Sequence, residues 1–479
     1  MSFFWYDYET FGSRVALDRP VQFAGVRTDE ALQPIGEPVV LYCRPAPDYL
    51  PHPAACLIHG ITPTELLERG ISESEFALRI HEELSQPKTC AVGYNATRFD
   101  HELTRYLLYR NLRDPYGWHW RDGNSKWDLI DLLRAAYALR PDGIQWPVRE
   151  DGPPSFRLED LAMANGLHHD SPHEALADVE TTIELARLVR EKQPRLFDYY
   201  LGLRDRREVM RHIEAPFLWV SSLVEAARGC AALLAPVAAH PTDSNAVIAY
   251  DLRHDPSGVV DRSPDELRAA LFSSSDDRPP LYTIKTNACP FVVPARLVDE
   301  GVRRRLGLDG EVLKRNYRAL RASRNFGERV RAAYERTFEG EEDEVDSALY
   351  AGFMPDGDRE TLVHMLEADR ALEGASAVVF EDGRLSELIF RYRARNYPDA
   401  LSDPEKARWR THCRRRHLGK DLDGGTQMDA YDAEIRVLRA QHAGSHTVAE
   451  LLDDLEAYGR RLRRWLGEDG AGADVPSAG

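Results

Sequence analysis

The chain has 479 residues, a net charge of −17 and a hydrophobic fraction of 43%. That length exceeds one hydrophobic core and predicts two to four domains, and no apolar run is long enough to span a bilayer. The six cysteines (Cys43, Cys56, Cys90, Cys230, Cys289 and Cys413) are scattered without a C-x-x-C pair, which argues against a disulfide framework or zinc site and fits a reducing cytoplasm. The N-terminus lacks a basic stretch followed by an apolar run, so no signal peptide is expected. The acidic balance argues against a general nucleic-acid binder, although whole-chain charge does not decide what one groove binds.

Residues 1–190 read as alternating strands and helices. Phe3–Glu9 is a first strand, and Val21–Arg27 and Pro38–Cys43 are further apolar strand-like runs. Thr62-Pro63-Thr64-Glu65 is a helix start, with Thr62 as N-cap, Pro63 at the first helical position and Glu65 two residues on. Helix continues over residues 74–85, and Cys90–Tyr94 is a short buried strand. Apolar spacing predicts helices over Phe99–Tyr109, Trp127–Leu139, Phe156–Asn165 and Glu174–Lys192, and Gln193-Pro194 ends the last of these. This order predicts a layered α/β domain over residues 1–192.

Residues 193–345 change character. Val247–Leu252, Leu281–Thr286 and Phe291–Val293 read as short strands between turn residues, and Leu313–Tyr334 as a helix, which predicts a β-rich domain. Gly340–Glu344 reads as a solvated acidic linker. Residues 346–466 predict an all-helical domain, with helices over Asp358–Ala371, Glu405–Arg416, Ala430–Ala443 and Thr447–Leu466, the last opened by a Thr447/Glu450 capping box. The tail, 467–479, is rich in Gly, Ala, Pro and Asp and is expected to be disordered.

The chemistry starts at Trp5-Tyr6-Asp7-Tyr8-Glu9-Thr10. On a strand, Asp7 and Glu9 share a face while Tyr6 and Tyr8 take the other. Two adjacent buried carboxylates repel and lose solvation, a combination a fold tolerates when a cation sits between them, and Mg²⁺ prefers such oxygen ligands. Asp100 opens a helix after the buried strand ending in Gly93-Tyr94, where an acid also suits the helix dipole. Asp178 lies inside the helix after Pro172-His173. His173 is five residues away, off that face, and is expected at or before the helix start.

As a set, Asp-x-Glu, a mid-domain Asp and His-x4-Asp resemble the DEDD superfamily of 3′–5′ exonucleases, which has a ribonuclease-H-like fold. His173 with Glu174 matches its histidine subclass. A narrower resemblance covers essentially the whole chain. Asp7-Tyr8-Glu9-Thr10-Phe11-Gly12, Arg19-Pro20-Val21-Gln22-Phe23-Ala24, His59-Gly60-Ile61-Thr62-Pro63, Gly93-Tyr94-Asn95, Pro154–Glu159 and Arg391–Pro398 look like the bacterial exodeoxyribonuclease I family.

The resemblance implies an exonuclease domain, an SH3-like domain and a helical domain. The implied enzyme degrades single-stranded DNA from its 3′ end to 5′-mononucleotides, in DNA repair and recombination. It also implies two Mg²⁺ ions, replaceable by Mn²⁺, held by Asp7, Glu9, Asp100 and Asp178. Ions roughly 3.5–4 Å apart can clamp the attacking and leaving oxygens at phosphorus. His173 is then the general base, with an unperturbed pKa of about 6.5 that suits the task.

Glu9, Thr10, Phe11 and Arg157 are expected at the terminal nucleotide, and Arg105, Tyr116, Trp120 and Arg134 along the DNA path. Stacking aromatics among basic residues grip a single strand without reading it. The basic stretches Arg303–Arg336 and Arg391–Arg416 would suit its continuation. The family also binds the acidic C-terminal tail of single-stranded-DNA-binding protein. Arg140 and Tyr199 match positions in that pocket, while Phe291–Asp299 departs from the family pattern, with Pro294 and Asp299 in place of polar or basic residues. A monomer is expected. An oligoribonuclease-type enzyme would be much shorter, and a decayed, non-catalytic relative would have lost a ligand.

Overall fold

The computed structural model describes residues 1–167, 174–272, 278–335, 344–368, 378–420 and 425–467. The first region is built on a five-stranded sheet of β1 (Ser2–Thr10), β2 (Pro20–Thr28), β3 (Val39–Tyr42), β4 (Thr89–Gly93) and β5 (Ser125–Asp128), in the order β3-β2-β1-β4-β5. β1 pairs antiparallel with β2 and parallel with β4. Around the sheet lie α1 (Pro53–His59), α2 (Pro63–Arg69), α3 (Glu73–Leu84), α4 (Asp100–Arg110), α5 (Leu129–Leu139), α6 (Leu158–Ala164), α7 (Ala175–Lys192) and α8 (Pro194–Gly202). Thr62 caps α2 as expected, its side chain accepting from the Glu65 N–H.

Both faces of β1 are covered, which explains its aromatic run. Phe4, Tyr6 and Tyr8 pack with Phe23, Leu103 and Leu107 beneath α4. Phe3 and Trp5 pack with Val179 and Ile183 of α7. Asp7 and Glu9 continue the α7 face by strand alternation. Gly93, ending β4, lies so close to β1 that a Cβ there would come 3.0 Å from the Tyr6 carbonyl oxygen.

The second region contains α9 (Arg206–His212), β6 (Phe217–Val220), β7 (Ala231–Ala239), β8 (Ala246–Asp251), α10 (Pro264–Leu271), β9 (Leu281–Lys285), β10 (Phe291–Pro294), α11 (Glu300–Arg305), α12 (Gly310–Ala322) and α13 (Phe326–Tyr334). Its strands form an antiparallel sheet ordered β10-β6-β7-β8-β9. The sequence reading missed β6 and β7. β7 is alanine-rich and carries Pro236 at a register shift, where a missing N–H is tolerated. The single helix expected over 313–334 is two helices, α12 and α13.

The third region comprises α14 (Asp356–Ala368), α15 (Leu385–Asn396), α16 (Asp403–Leu418), α17 (Gln427–Gln441) and α18 (His446–Leu466). Its helices pack back on the first region: Tyr431, Leu455 and Trp465 share a core with Phe11, Cys56 and Leu66. Ser445, not Thr447, caps α18. Residues 340–343 of the expected linker lie outside the described residues. Glu344 is not a free acid, because it pairs with Arg391 and with Arg416.

The first part of Arg391–Arg416 is not the open basic face expected for DNA: the Arg391 and Arg395 side chains are enclosed, and their guanidinium groups hold Asp346 and Asp48. Lys406, Arg408, Arg410, Arg414 and Arg415, on α16, stay exposed. Among the described residues, no helix is long and apolar enough to cross a membrane.

Candidate active site

Asp7 and Glu9 reach the end of β1 on the face covered by α7. On that helix Ala175, Asp178, Thr182 and Ala186 fall along one side at spacings of three and four residues. Asp178 therefore points back at the strand. The carboxylates of Asp7, Glu9 and Asp178 converge, each offering an oxygen within 4.8 Å of the others, and all three residues are half-buried. Asp100 opens α4, which packs on the opposite face of β1. It is buried, and its Oδ1 has no hydrogen-bond partner among the described residues. His173 lies outside the described residues.

Burial and mutual repulsion dominate the electrostatics. Burial raises Asp7 well above the usual carboxylate range, with Asp100, Glu9 and Asp178 adding repulsion. Burial, then Asp178 and Asp100, pushes Glu9 up to about 8. Asp100 is also pushed up to about 8, chiefly by burial. A carboxylate-only donor set with an unpartnered buried oxygen fits a hard divalent cation; without one, burial and repulsion favour the protonated forms of Asp7, Glu9 and Asp100.

Three neighbours that sequence reasoning did not single out position the acids. Asp128 accepts the N–H groups of Asn95 and Thr97, each at 2.9 Å, and so fixes the loop leading into Asp100. Burial, then Asp131, pushes Asp128 up to about 6. Gln22, the cross-strand partner of Glu9, accepts the Ala175 N–H at 3.3 Å and ties the start of α7 to β2. Tyr94 donates its O–H to the Phe156 carbonyl at 2.7 Å and anchors the Arg157 segment. The available signals were a polar residue in an apolar strand for Gln22 and an acid at a strand–helix junction for Asp128.

Asp7 and Asp178 open into a cleft of about 660 Å³ also lined by Arg134, Phe156 and Arg157. Arg157 is largely exposed, and its charged partner among the described residues is Glu159, at 3.2 Å. Arg134 bonds Asp131 at 2.8 Å beside the Phe156 ring. Thr10 donates its hydroxyl to the Gly12 carbonyl at 2.6 Å.

Phe11 departs from the expectation: its ring is fully buried against Tyr49, packed in the core beneath the helical region, and so does not hold a nucleotide. Arg105 is mostly enclosed; it pairs with Glu102, donates to Tyr350 Oη at 3.2 Å and lies over the Tyr116 ring. Trp120 is exposed and Tyr116 half-exposed.

Arg140 and Tyr199 line one pocket of about 420 Å³ between the end of α5, α8 and β10. Tyr199 donates to the Val292 carbonyl at 2.6 Å, and Arg140 reaches Asp299 at 3.3 Å while half its surface stays open.

Three family models match the chain: an exonuclease model over residues 4–186, the exonuclease I SH3-like domain over 204–336 and the exonuclease I C-terminal domain over 343–462. Exodeoxyribonuclease I of Escherichia coli (strain K12) is 42% identical over 471 residues, covering 96% of this chain and 98% of the relative. A crystal structure of E. coli exonuclease I with a dA16 oligonucleotide superposes with a TM-score of 0.91 at 42% identity, over 96% of this chain and 99% of that one. A structure of SSB/exonuclease I in complex with an inhibitor gives a TM-score of 0.89 at 41% identity, over 96% and 99%.

Proposed function

Because the chain belongs to the exodeoxyribonuclease I family, and so hydrolyses single-stranded DNA from the 3′ end, we propose that Asp7, Glu9 and Asp178, backed by Asp100, are where it does so. The observation that carries this reading is the convergence of three carboxylates from β1 and α7 within 4.8 Å. The enzyme depends on divalent metal, and the all-oxygen donor set favours two Mg²⁺ ions, with Mn²⁺ able to substitute. When bound, such ions stabilise charge on the attacking and leaving oxygens of an in-line displacement at phosphorus.

The chain's own groups do the rest. Asp7, Glu9, Asp100 and Asp178 bind the cations and thereby offset their own repulsion. Arg157 presents an open guanidinium to the phosphate, on a segment held by Tyr94. Glu9 and Thr10 flank the terminal nucleotide. His173 takes the proton of the attacking water. Trp120 and Tyr116 offer faces on which bases stack, and Arg105 supports the Tyr116 ring and adds positive charge beside the path, as Arg134 does.

The pocket at Arg140 and Tyr199 fits the tail of single-stranded-DNA-binding protein: apolar walls from Leu139, Val293 and Val298 receive an apolar side chain, and Arg140 receives a carboxylate. We read the enzyme as a monomer, and the six buried unpaired thiols favour the cytoplasm. We place the activity in DNA repair and recombination, and the three domains at 1–192, 193–345 and 346–466.

Hydrolysis of labelled DNA and RNA oligonucleotides, single- and double-stranded, with Mg²⁺ and with EDTA tests the reading. Metal-dependent loss of 3′ nucleotides from single-stranded DNA alone is expected; equal rates on duplex or RNA would overturn it.

A further inference from the structure

Tyr6 and Tyr8 flank Asp7 on β1 and turn to its other face, against α4. Both hydroxyls are bonded there. Tyr6 Oη and His101 Nδ1 share a hydrogen bond of 2.6 Å, and Tyr8 Oη meets Thr104 Oγ1 at 3.0 Å. Thr104 in turn donates to the Asp100 carbonyl at 2.8 Å. His101 and Thr104 are three residues apart, so they lie side by side on the helix. Two buried rungs thus join the residues beside Asp7 to the first turn of α4, which Asp100 opens.

α4 needs such anchors. Phe99, at its N-cap, makes no side-chain capping bond, so the position of the helix start is not set by a cap. The position matters because the two acids act on each other: after burial, Asp100 is the foremost cause of the upward push on Asp7.

The first rung is the more telling. Tyr6 and His101 are both fully buried. The imidazole is held between the Tyr6 ring, with centroids 5.8 Å apart, and the Trp118 ring, edge to face at 5.6 Å. Its Nε2 has no hydrogen-bond partner among the described residues. A buried ring with one nitrogen unpaired is a costly way to fill a core, and a leucine would fill it without that cost. What a leucine lacks is a directed bond to β1. A hydrogen bond fixes a distance and an angle, whereas apolar contact is non-directional. Cation ligands need that precision, to within about 0.5 Å.

We infer that the Tyr6–His101 bond sets the position of Asp7 relative to Asp100, and that Tyr6 and His101 are positioning residues for the cation site, acting from the far side of β1. This rests on the reading of Asp7 and Asp100 as cation ligands.

The test is calorimetric titration of Mn²⁺ into the protein without DNA, with the Tm in EDTA measured beside it. Wild type, Tyr6→Phe, His101→Leu, the double variant Tyr6→Phe/His101→Leu and Asp7→Ala are compared as full chains. Tyr6→Phe and His101→Leu are each expected to lose about ten- to a hundredfold in Mn²⁺ affinity, as loss of groups that orient metal ligands does. The double variant leaves neither partner unpaired, so its Tm recovers toward wild type while its Mn²⁺ affinity stays low.

If affinity recovers together with Tm in the double variant, the bond serves stability alone and the inference falls. It falls also if Tyr6→Phe and His101→Leu bind Mn²⁺ as wild type does while Asp7→Ala loses affinity, and the ligand reading then stands. If Asp7→Ala binds as wild type does, the reading beneath it falls as well.

Discussion

Arg395 and Asp346 form a two-pronged ion pair sealed from solvent: each terminal guanidinium nitrogen meets a different carboxylate oxygen, and both residues are almost fully buried. Arg395 also bonds Asp48 at 2.7 Å, while Arg19 lies 3.5 Å from Asp346 and 3.8 Å from Asp48. Three distant stretches of chain thus meet in one charged knot that fastens the helical region to the nuclease. Removing one member leaves its partners buried and uncompensated, so Asp346→Ala is expected to destabilise the protein by about 3–5 kcal/mol in urea unfolding. Unchanged stability would show that the knot is not fully formed.

The same knot predicts acid sensitivity. Burial alone would raise Asp48 and Asp346, but Arg395 and Arg19 outweigh it and hold both below the usual carboxylate range. Groups with depressed folded-state pKa values contribute stability above their unfolded value, near 4, and lose it as pH falls toward the folded value. Below about pH 4 the loss of stability is expected to be smaller in Asp346→Ala than in wild type.

The acids proposed to hold the cations predict the opposite sign. Asp7, Glu9 and Asp100 are raised, with Glu9 and Asp100 at about 8. In the metal-free protein their contribution is fully present below about pH 4 and is lost as pH rises to about 8. Cations compete with those protons, so the increase in Tm on adding Mg²⁺ should grow steadily between about pH 6 and pH 8. A pH-independent increase would contradict the assignment.

Gln22 and Asp128 act through the residues they hold. Asp128→Ala leaves the Asn95 and Thr97 N–H groups without their acceptor, at about 1–3 kcal/mol, and frees the loop before Asp100. Turnover should fall while the affinity for single strands in EDTA stays near wild type. Weakened strand binding without a change in turnover would place Asp128 in the DNA path instead.

Arg140→Ala should weaken binding of a fluorescent peptide with the tail sequence of single-stranded-DNA-binding protein, and added salt should weaken wild-type binding. Undiminished binding by the variant would remove Arg140 from the pocket.

The parts of this molecule legible in the sequence were those with a short period. Asp7 and Glu9 declared themselves by a spacing of two on an aromatic strand, and Thr62 by its capping pattern. What required the structure was long-range pairing. Arg391 and Arg395 read as part of a basic run suited to DNA because Asp48, the partner of Arg395, is 347 residues away. Phe11 read as a site residue from its place beside the acids, although the chain turns its ring into a core completed by helices from the third region. β7 was hidden by alanines that pack in a sheet only because β6 and β8 flank them.

The proposed cation site of Asp7, Glu9 and Asp178 is tested most directly by single-turnover hydrolysis of a 3′-labelled DNA strand by Asp178→Ala, in Mg²⁺ and at saturating enzyme. Losing several kcal/mol of charge stabilisation predicts a rate at least about a hundredfold below wild type, with strand binding retained. A wild-type rate from Asp178→Ala would contradict it.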